Sequence, residues 1–144
     1  MAASEHPSTL SQASSGASNA VQPLADPFGR RHDYLRISLT ERCNLRCRYC
    51  MPLDGVPLLP SDHYMRAEEI LALAEVFIGL GVRKIRLTGG EPLVRKDFDH
   101  ILNLLSGLEL DLGLTTNGVL LPRHLDALKA SGLRAINVSL DSLQ

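Results

Sequence analysis

The chain has 144 residues, 44% hydrophobic and 22% charged, with 4% aromatic residues and no Trp, which suits one small domain and leaves no room for several. Fifteen Lys and Arg against sixteen Asp and Glu give a net charge of −1, so no global field draws the protein onto nucleic acid or an anionic membrane, and any anion site must be local. Glu75 interrupts the longest apolar candidate, Ile70 to Leu80, far short of the ~18 uninterrupted residues of a membrane-spanning helix.

Residues 1–25 are rich in Ser and Ala, nearly uncharged and without apolar period, so an unstructured tail is expected before a core of residues 26–144. The tail has neither the basic start and apolar stretch of a signal peptide nor the Arg content of a transit peptide. A first strand is expected over Tyr34–Leu39. After a cysteine-bearing segment, apolar residues at 70, 73, 74, 77 and 78 predict a helix over Ala67–Leu80, with Glu68 and Glu69 at the positive end of its dipole and Gly81 as its stop. A strand follows over Lys84–Leu87, then a helix over Asp97–Leu105 capped by Gly107. A third strand spans Leu110–Leu114, a helix with Pro in its first turn spans Pro122–Ala130 before Gly132, and a fourth strand spans Ala135–Leu140. Strands alternating with helices of this length predict an α/β fold with a parallel sheet and right-handed crossovers. Gln144 comes directly after the fourth strand, so that strand is expected to lack a covering helix and the domain to be incomplete.

Charge and sulfur cluster together. Between Asp26 and Cys50, six arginines stand against Asp26, Asp33 and Glu41, a net +3, and the same window holds every cysteine. Cys43, Cys47 and Cys50 follow a C-x3-C-x2-C spacing, too close for a disulfide framework and odd in number, which argues for a reducing compartment and a metal. Three thiolates on one loop suit zinc or an iron–sulfur cluster. Zinc needs a fourth donor such as His32, His63, His100 or His124, none at a familiar spacing; a 4Fe–4S cubane can use three cysteines and leave one iron open. Spacing alone leaves the cluster, structural zinc and unliganded thiols open, in that order.

Three more polar segments fall where strands end: Thr88-Gly-Gly-Glu-Pro92, Thr115-Thr-Asn-Gly118 and Ser139-Leu-Asp-Ser142. In a parallel sheet the carboxyl ends of the strands share one rim, so these segments and the cysteine loop are expected to line one pocket. Gly89 and Gly90 either admit a ligand to the backbone or make a tight turn, and Glu91 offers a carboxylate to an ammonium group. Thr115, Thr116 and Asn117 either bind a ribose or base or form a plain turn, and Ser139 is a pocket donor or a strand-end cap. Arg36 and Arg86 sit in otherwise apolar strands, where each calls for an anion or a carboxylate partner.

CNLRCRYC with the following Met-Pro, TGGEP and SLDS resemble the core of the radical S-adenosylmethionine (SAM) enzymes. The longer strings FGRRHDYLRISLTERCNLRCRYCMP, KIRLTGGEPLVRKD and GLTTNG resemble one branch, the GTP 3′,8-cyclases of molybdenum cofactor biosynthesis, over about residues 26–143. The resemblance implies a partial (β/α) barrel of about four parallel strands, truncated. It implies a 4Fe–4S cluster on Cys43, Cys47 and Cys50, and S-adenosylmethionine chelated to the open iron. One electron would cleave the sulfonium, and the resulting 5′-deoxyadenosyl radical would take hydrogen from C3′ of GTP, which closes onto C8 to give 3′,8-cyclo-7,8-dihydro-GTP. Tyr49, Gly90 and Ser139 match the family's S-adenosylmethionine contacts, Glu91 its methionine ammonium, and Arg36, Arg86 and Thr115 its GTP contacts.

The same resemblance implies a reductant such as flavodoxin or ferredoxin, hand-over to the next enzyme of molybdopterin synthesis, a cytoplasmic location, a homodimer as an option at full length, and no nucleic-acid or membrane partner. Glu41 stands where the family has Asp. The family's two further β/α units and its second three-cysteine cluster have no counterpart here, so the chain alone is expected to be inactive, its pocket open to water. Another radical SAM branch acting on a peptide or small metabolite, or a non-catalytic three-cysteine metal site, are the competing readings.

Overall fold

The computed structural model describes residues 23–52, 54–55 and 57–140. Four parallel strands, β1 (Tyr34–Ser38), β2 (Lys84–Thr88), β3 (Asp111–Thr116) and β4 (Ala135–Val138), lie in sequential order. They are joined by α1 (Ala67–Gly79), α2 (Phe98–Ser106) and α3 (Leu121–Ala130), with short 3₁₀ turns at Ser61–His63 and Pro92–Val94. Sequential order with helical crossovers puts the helices on one face, where α1 touches α2 and α2 touches α3. The sheet is open, with β1 and β4 at its edges: an arc of an α/β barrel, as expected.

Period-two alternation divides the sheet into two chemistries. Ile37 and Leu39, Ile85 and Leu87, and Leu112 and Leu114 are buried in one core with Ile70 and Ala74 of α1, Phe98, Ile101, Leu102 and Leu105 of α2, and Leu128 of α3. The alternate residues, Tyr34, Arg36, Ser38, Lys84, Arg86, Thr88, Gly113 and Thr115, share the opposite face. The register sets Arg36, Arg86 and Gly113 side by side, with Tyr34 and Lys84 one rung away. On β4, Ile136 lies level with Leu114 and Val138 with Thr116, yet both are exposed.

Boundaries differ in instructive ways. β3 runs on to Thr116, because Thr115 and Thr116 pair with Asn137 and Val138, so half of the expected Thr-Thr-Asn-Gly turn is strand. Gly107 is the C-cap of α2 but is right-handed (φ −75°, ψ −8°), so no side chain is excluded there by backbone geometry. Residues 1–22 of the expected tail lie outside the described residues. Residues 23–25 do not stand apart from the fold: the Leu24 amide donates to Leu80 O at 3.1 Å, and Ala25 bridges to Arg31.

The segment after β2 docks onto the segment after β1 by backbone alone. Leu39 N donates to Thr88 O at 2.8 Å, Gly90 N to Thr40 O at 2.6 Å and Glu91 N to Arg42 O at 2.8 Å. The approach is so close that a Cβ on Gly89 would lie 2.4 Å from Thr40 O, and one on Gly90 would lie 2.5 Å from the carbonyl oxygens of both Glu41 and Arg42. The glycine pair therefore serves first to seat the cysteine segment.

Two glycine substitutions test this. Gly90→Ala should destabilise by about 1–3 kcal/mol through forced backbone displacement. Gly107→Ala, whose nearest neighbour would be 3.6 Å away, should stabilise by about 0.4–1 kcal/mol by restricting the unfolded chain. Urea midpoints moving in opposite directions would bear out both assignments.

Candidate thiol and nucleotide site

Cys43 and Cys47 are half-buried and Cys50 is exposed, all three thiols lying on the loop that leaves β1. A turn brings the second and third together, Cys50 N and Met51 N donating to Cys47 O at 3.0 and 2.9 Å. The Cys43 sulfur accepts from Leu45 N at 3.4 Å and lies 3.8 Å from Asn117 Nδ2. Amides aimed at sulfur are what a negatively charged, metal-bound thiolate requires. Arg46 folds back onto the carbonyls of Cys43 and Leu45 at 2.8 and 2.9 Å, bracing the same turn.

Among the described residues, no three His, Cys, Asp or Glu side chains are arranged as a ready-made metal centre. The fit to a cluster is one of donor chemistry: three soft sulfurs on one loop. Two of the described histidines have carboxylate partners. His100 Nε2 pairs with Glu68 of α1 at 3.2 Å, His124 Nδ1 with Asp99 of α2 at 2.6 Å, and His32 and His63 are exposed.

Glu91 ties the rim together. Only 1% exposed, its Oε1 accepts from Leu93 N at 3.1 Å and from the Thr116 hydroxyl at 2.7 Å, and its Oε2 from Asn117 N at 2.7 Å. A carboxylate offers about four acceptor positions, so one is left for an incoming ammonium group. Asn117, a candidate ribose or base contact by sequence, spends its side-chain amide on Asn44 Oδ1 at 2.8 Å and on the Cys43 sulfur. Gly118 completes the turn in the left-handed region (φ +82°). Gly90 has its amide committed to Thr40 O at 2.6 Å. Tyr49 (77% exposed) lies between the last two cysteines, and Ser139 is exposed where β4 ends, its amide on Thr116 O at 2.9 Å. Asp141 and Ser142 lie outside the described residues.

The two strand arginines part company. Arg36 is exposed on the uncovered face of the sheet, so burial does not oblige it to find a partner. Arg86 is 8% exposed, and among the described residues its partners are all neutral: Nε donates to the Tyr34 hydroxyl at 2.8 Å, and Nη1 to Leu114 O at 3.2 Å and Thr115 Oγ1 at 3.5 Å. Gly113 makes room for it, since a Cβ there would lie 3.4 Å from Cζ and Nη2. The guanidinium is fixed on one side while the two Nη2 donors remain for an anion. Sequence reading missed two members of this group. Tyr34 orients Arg86 and also has the Lys84 ammonium 5.4 Å from its ring centroid. Position-two spacing from Arg36 and Arg86 was the available signal for both.

Among the described residues, no helix is long and apolar enough to cross a membrane. The family model of the radical SAM superfamily matches residues 37–144. The chain is 59% identical over 122 residues to "Molybdenum cofactor biosynthesis protein 1" of Mus musculus, covering 83% of this chain and 19% of that protein. It is 56% identical over 123 residues to "GTP 3′,8-cyclase, mitochondrial" of Arabidopsis thaliana, covering 83% and 31%. It is 56% identical over 124 residues to "GTP 3′,8-cyclase 2" of Pseudomonas aeruginosa, covering 84% and 37%. It thus spans well under half the length of these relatives. Among solved structures, Streptococcus suis SuiB bound to S-adenosylmethionine shares the fold at a TM-score of 0.64 and 22% identity, over 85% of this chain and 25% of that one. The family model runs from within β1 to the last residue and so takes in the cysteine loop and the rest of the sheet: this chain belongs to the radical SAM superfamily.

Proposed function

We propose that the chain is the cluster-bearing part of a GTP 3′,8-cyclase, which converts GTP to 3′,8-cyclo-7,8-dihydro-GTP in the first step of molybdenum cofactor biosynthesis. The observation that carries this reading is one rim and one face holding two complementary features. Three cysteines share the loop that leaves β1, and among the described residues the hydrogen-bond partners of the buried Arg86 are all neutral. The likeness to relatives named GTP 3′,8-cyclase supports it.

Cys43, Cys47 and Cys50 would hold a 4Fe–4S cluster, which with S-adenosylmethionine supplies the one-electron reductive chemistry. The chain's own groups bind and orient. Glu91 keeps one acceptor position for the methionine ammonium, the Gly90 carbonyl adds a second, and Tyr49 and Ser139 flank the nucleoside part. Arg86 presents its Nη2 donors, with Arg36 at the same register and the Thr115 hydroxyl beside them, to the triphosphate of GTP. A flavodoxin or ferredoxin as reductant, a second cluster, a homodimer, the next enzyme of the pathway and a cytoplasmic setting belong to the same proposal for the whole enzyme.

Anaerobic reconstitution with iron and sulfide should yield a brown chain with broad visible absorbance, and Cys43→Ala should abolish it; a colourless chain holding one zinc would overturn the cluster. In equilibrium dialysis, Arg86→Ala should weaken GTP binding roughly tenfold or more, as expected for lost hydrogen bonds to a charged donor. Tyr34→Phe, which keeps the ring under Lys84 and removes only the hydroxyl, should weaken it a few-fold. Unchanged affinity in Arg86→Ala would remove GTP from this face.

A further inference from the structure

All three cysteines lie between Leu39, the last core residue after β1, and Met65, which precedes the N-cap Arg66 of α1. A single side chain from a different element joins those two ends. Arg95, which follows the 3₁₀ turn Pro92–Val94, donates from Nη1 to Leu39 O at 2.9 Å and from Nη2 to Met65 O at 2.5 Å. Its other edge is held by Asp97, with Nε to Oδ1 at 2.7 Å and Nη2 to Oδ2 at 3.0 Å. The Arg95 side chain is 10% exposed, and the guanidinium beside Asp97 holds that carboxyl below its usual range. Asp97 is the N-cap of α2 but makes no capping hydrogen bond with its side chain, because the carboxylate is spent on Arg95.

We propose that Arg95 is a positioning residue for the thiol loop: its planar fork clasps both ends of the loop and so sets the geometry in which Cys43, Cys47 and Cys50 meet a metal centre. Four hydrogen bonds in one plane are beyond a lysine, whose ammonium is a compact point donor. Nearer the sulfurs, Glu41 Oε1 accepts from Leu59 N and from the Tyr64 hydroxyl, and the loop is also tied by Gly90 N and Glu91 N on Thr40 O and Arg42 O and by Asn117 Nδ2 on Asn44 Oδ1. Among the described residues the loop forms no strand, so side-chain ties such as Arg95 weigh heavily in its order. The inference concerns the loop before any metal arrives and stands apart from the identity of the substrate.

Thiol alkylation of the metal-free chain, resolved by peptide, reads this directly. Arg95→Ala should speed reaction of the half-buried Cys43 and Cys47 roughly tenfold or more, as expected from losing hydrogen bonds to a charged donor, and leave exposed Cys50 nearly unchanged. Amide exchange should rise over residues 40–65 and stay native over β2 and β3. Arg95→Lys should not rescue, and after reconstitution a chelator should bleach the variant's chromophore faster. Wild-type alkylation rates, or exchange that rises evenly over the sheet, would overturn the clasp. If Arg95→Ala does not fold, Asp97→Asn decides: faster Cys43 and Cys47 with a native melting transition upholds the proposal, and unchanged rates end it. Because no metal is present in the alkylation arm, its failure is distinct from failure of the cluster to assemble.

Discussion

The backbone pairing between the segments that leave β1 and β2 governs the rest of the molecule. Gly90 N on Thr40 O and Glu91 N on Arg42 O extend the β1–β2 ladder past the end of both strands, with a Cβ-free surface between them. That extension fixes where Cys43 begins, puts Glu91 under Thr116 and Asn117, and so carries the positional information of one strand end to the next. The glycine pair is a seat for chain.

Glu91 shows how a buried charge is made tolerable on such a rim. Three donors from two elements surround its carboxylate, so desolvation is offset by hydrogen bonds rather than by a cation. Arg86 mirrors it on the other face of the sheet, a cation held by a phenol and two neutral oxygens. The two charges are solvated separately by polar protein groups and do not neutralise each other. Under the proposed function, these are the two charges that would meet ligand groups of opposite sign.

Much of this was legible because it is local. Helix spans follow from apolar period and end signals: α1 at Ala67–Gly79 and α3 at Leu121–Ala130 lie within a residue of expectation at each end. Parallel order followed from alternation, and the shared rim from parallel order. Thr115 and Thr116 looked like turn because Asn-Gly follows them; pairing with β4, a long-range fact, makes them strand. The glycine pair was legible as a close approach but not as an approach to Thr40–Arg42, because composition does not say which surface arrives. Arg95 was illegible altogether, since a contact between positions 56 residues apart leaves no local periodicity. The same holds for Glu41, whose longer side chain reaches Leu59 and Tyr64 across the loop.

The edge at β4 has a material consequence. Ile136, Val138 and Leu140 stand in water beside a row of backbone amides and carbonyls with one side unpaired, and the described segment carries no Lys, Pro or bulge to blunt it. Such a strand is a template for any other extended segment at sufficient concentration. Among the described residues this edge is the place where a further extended segment, from another polypeptide or from a continuation of this one, would add itself to the sheet, and a charge in place of Val138 would oppose it.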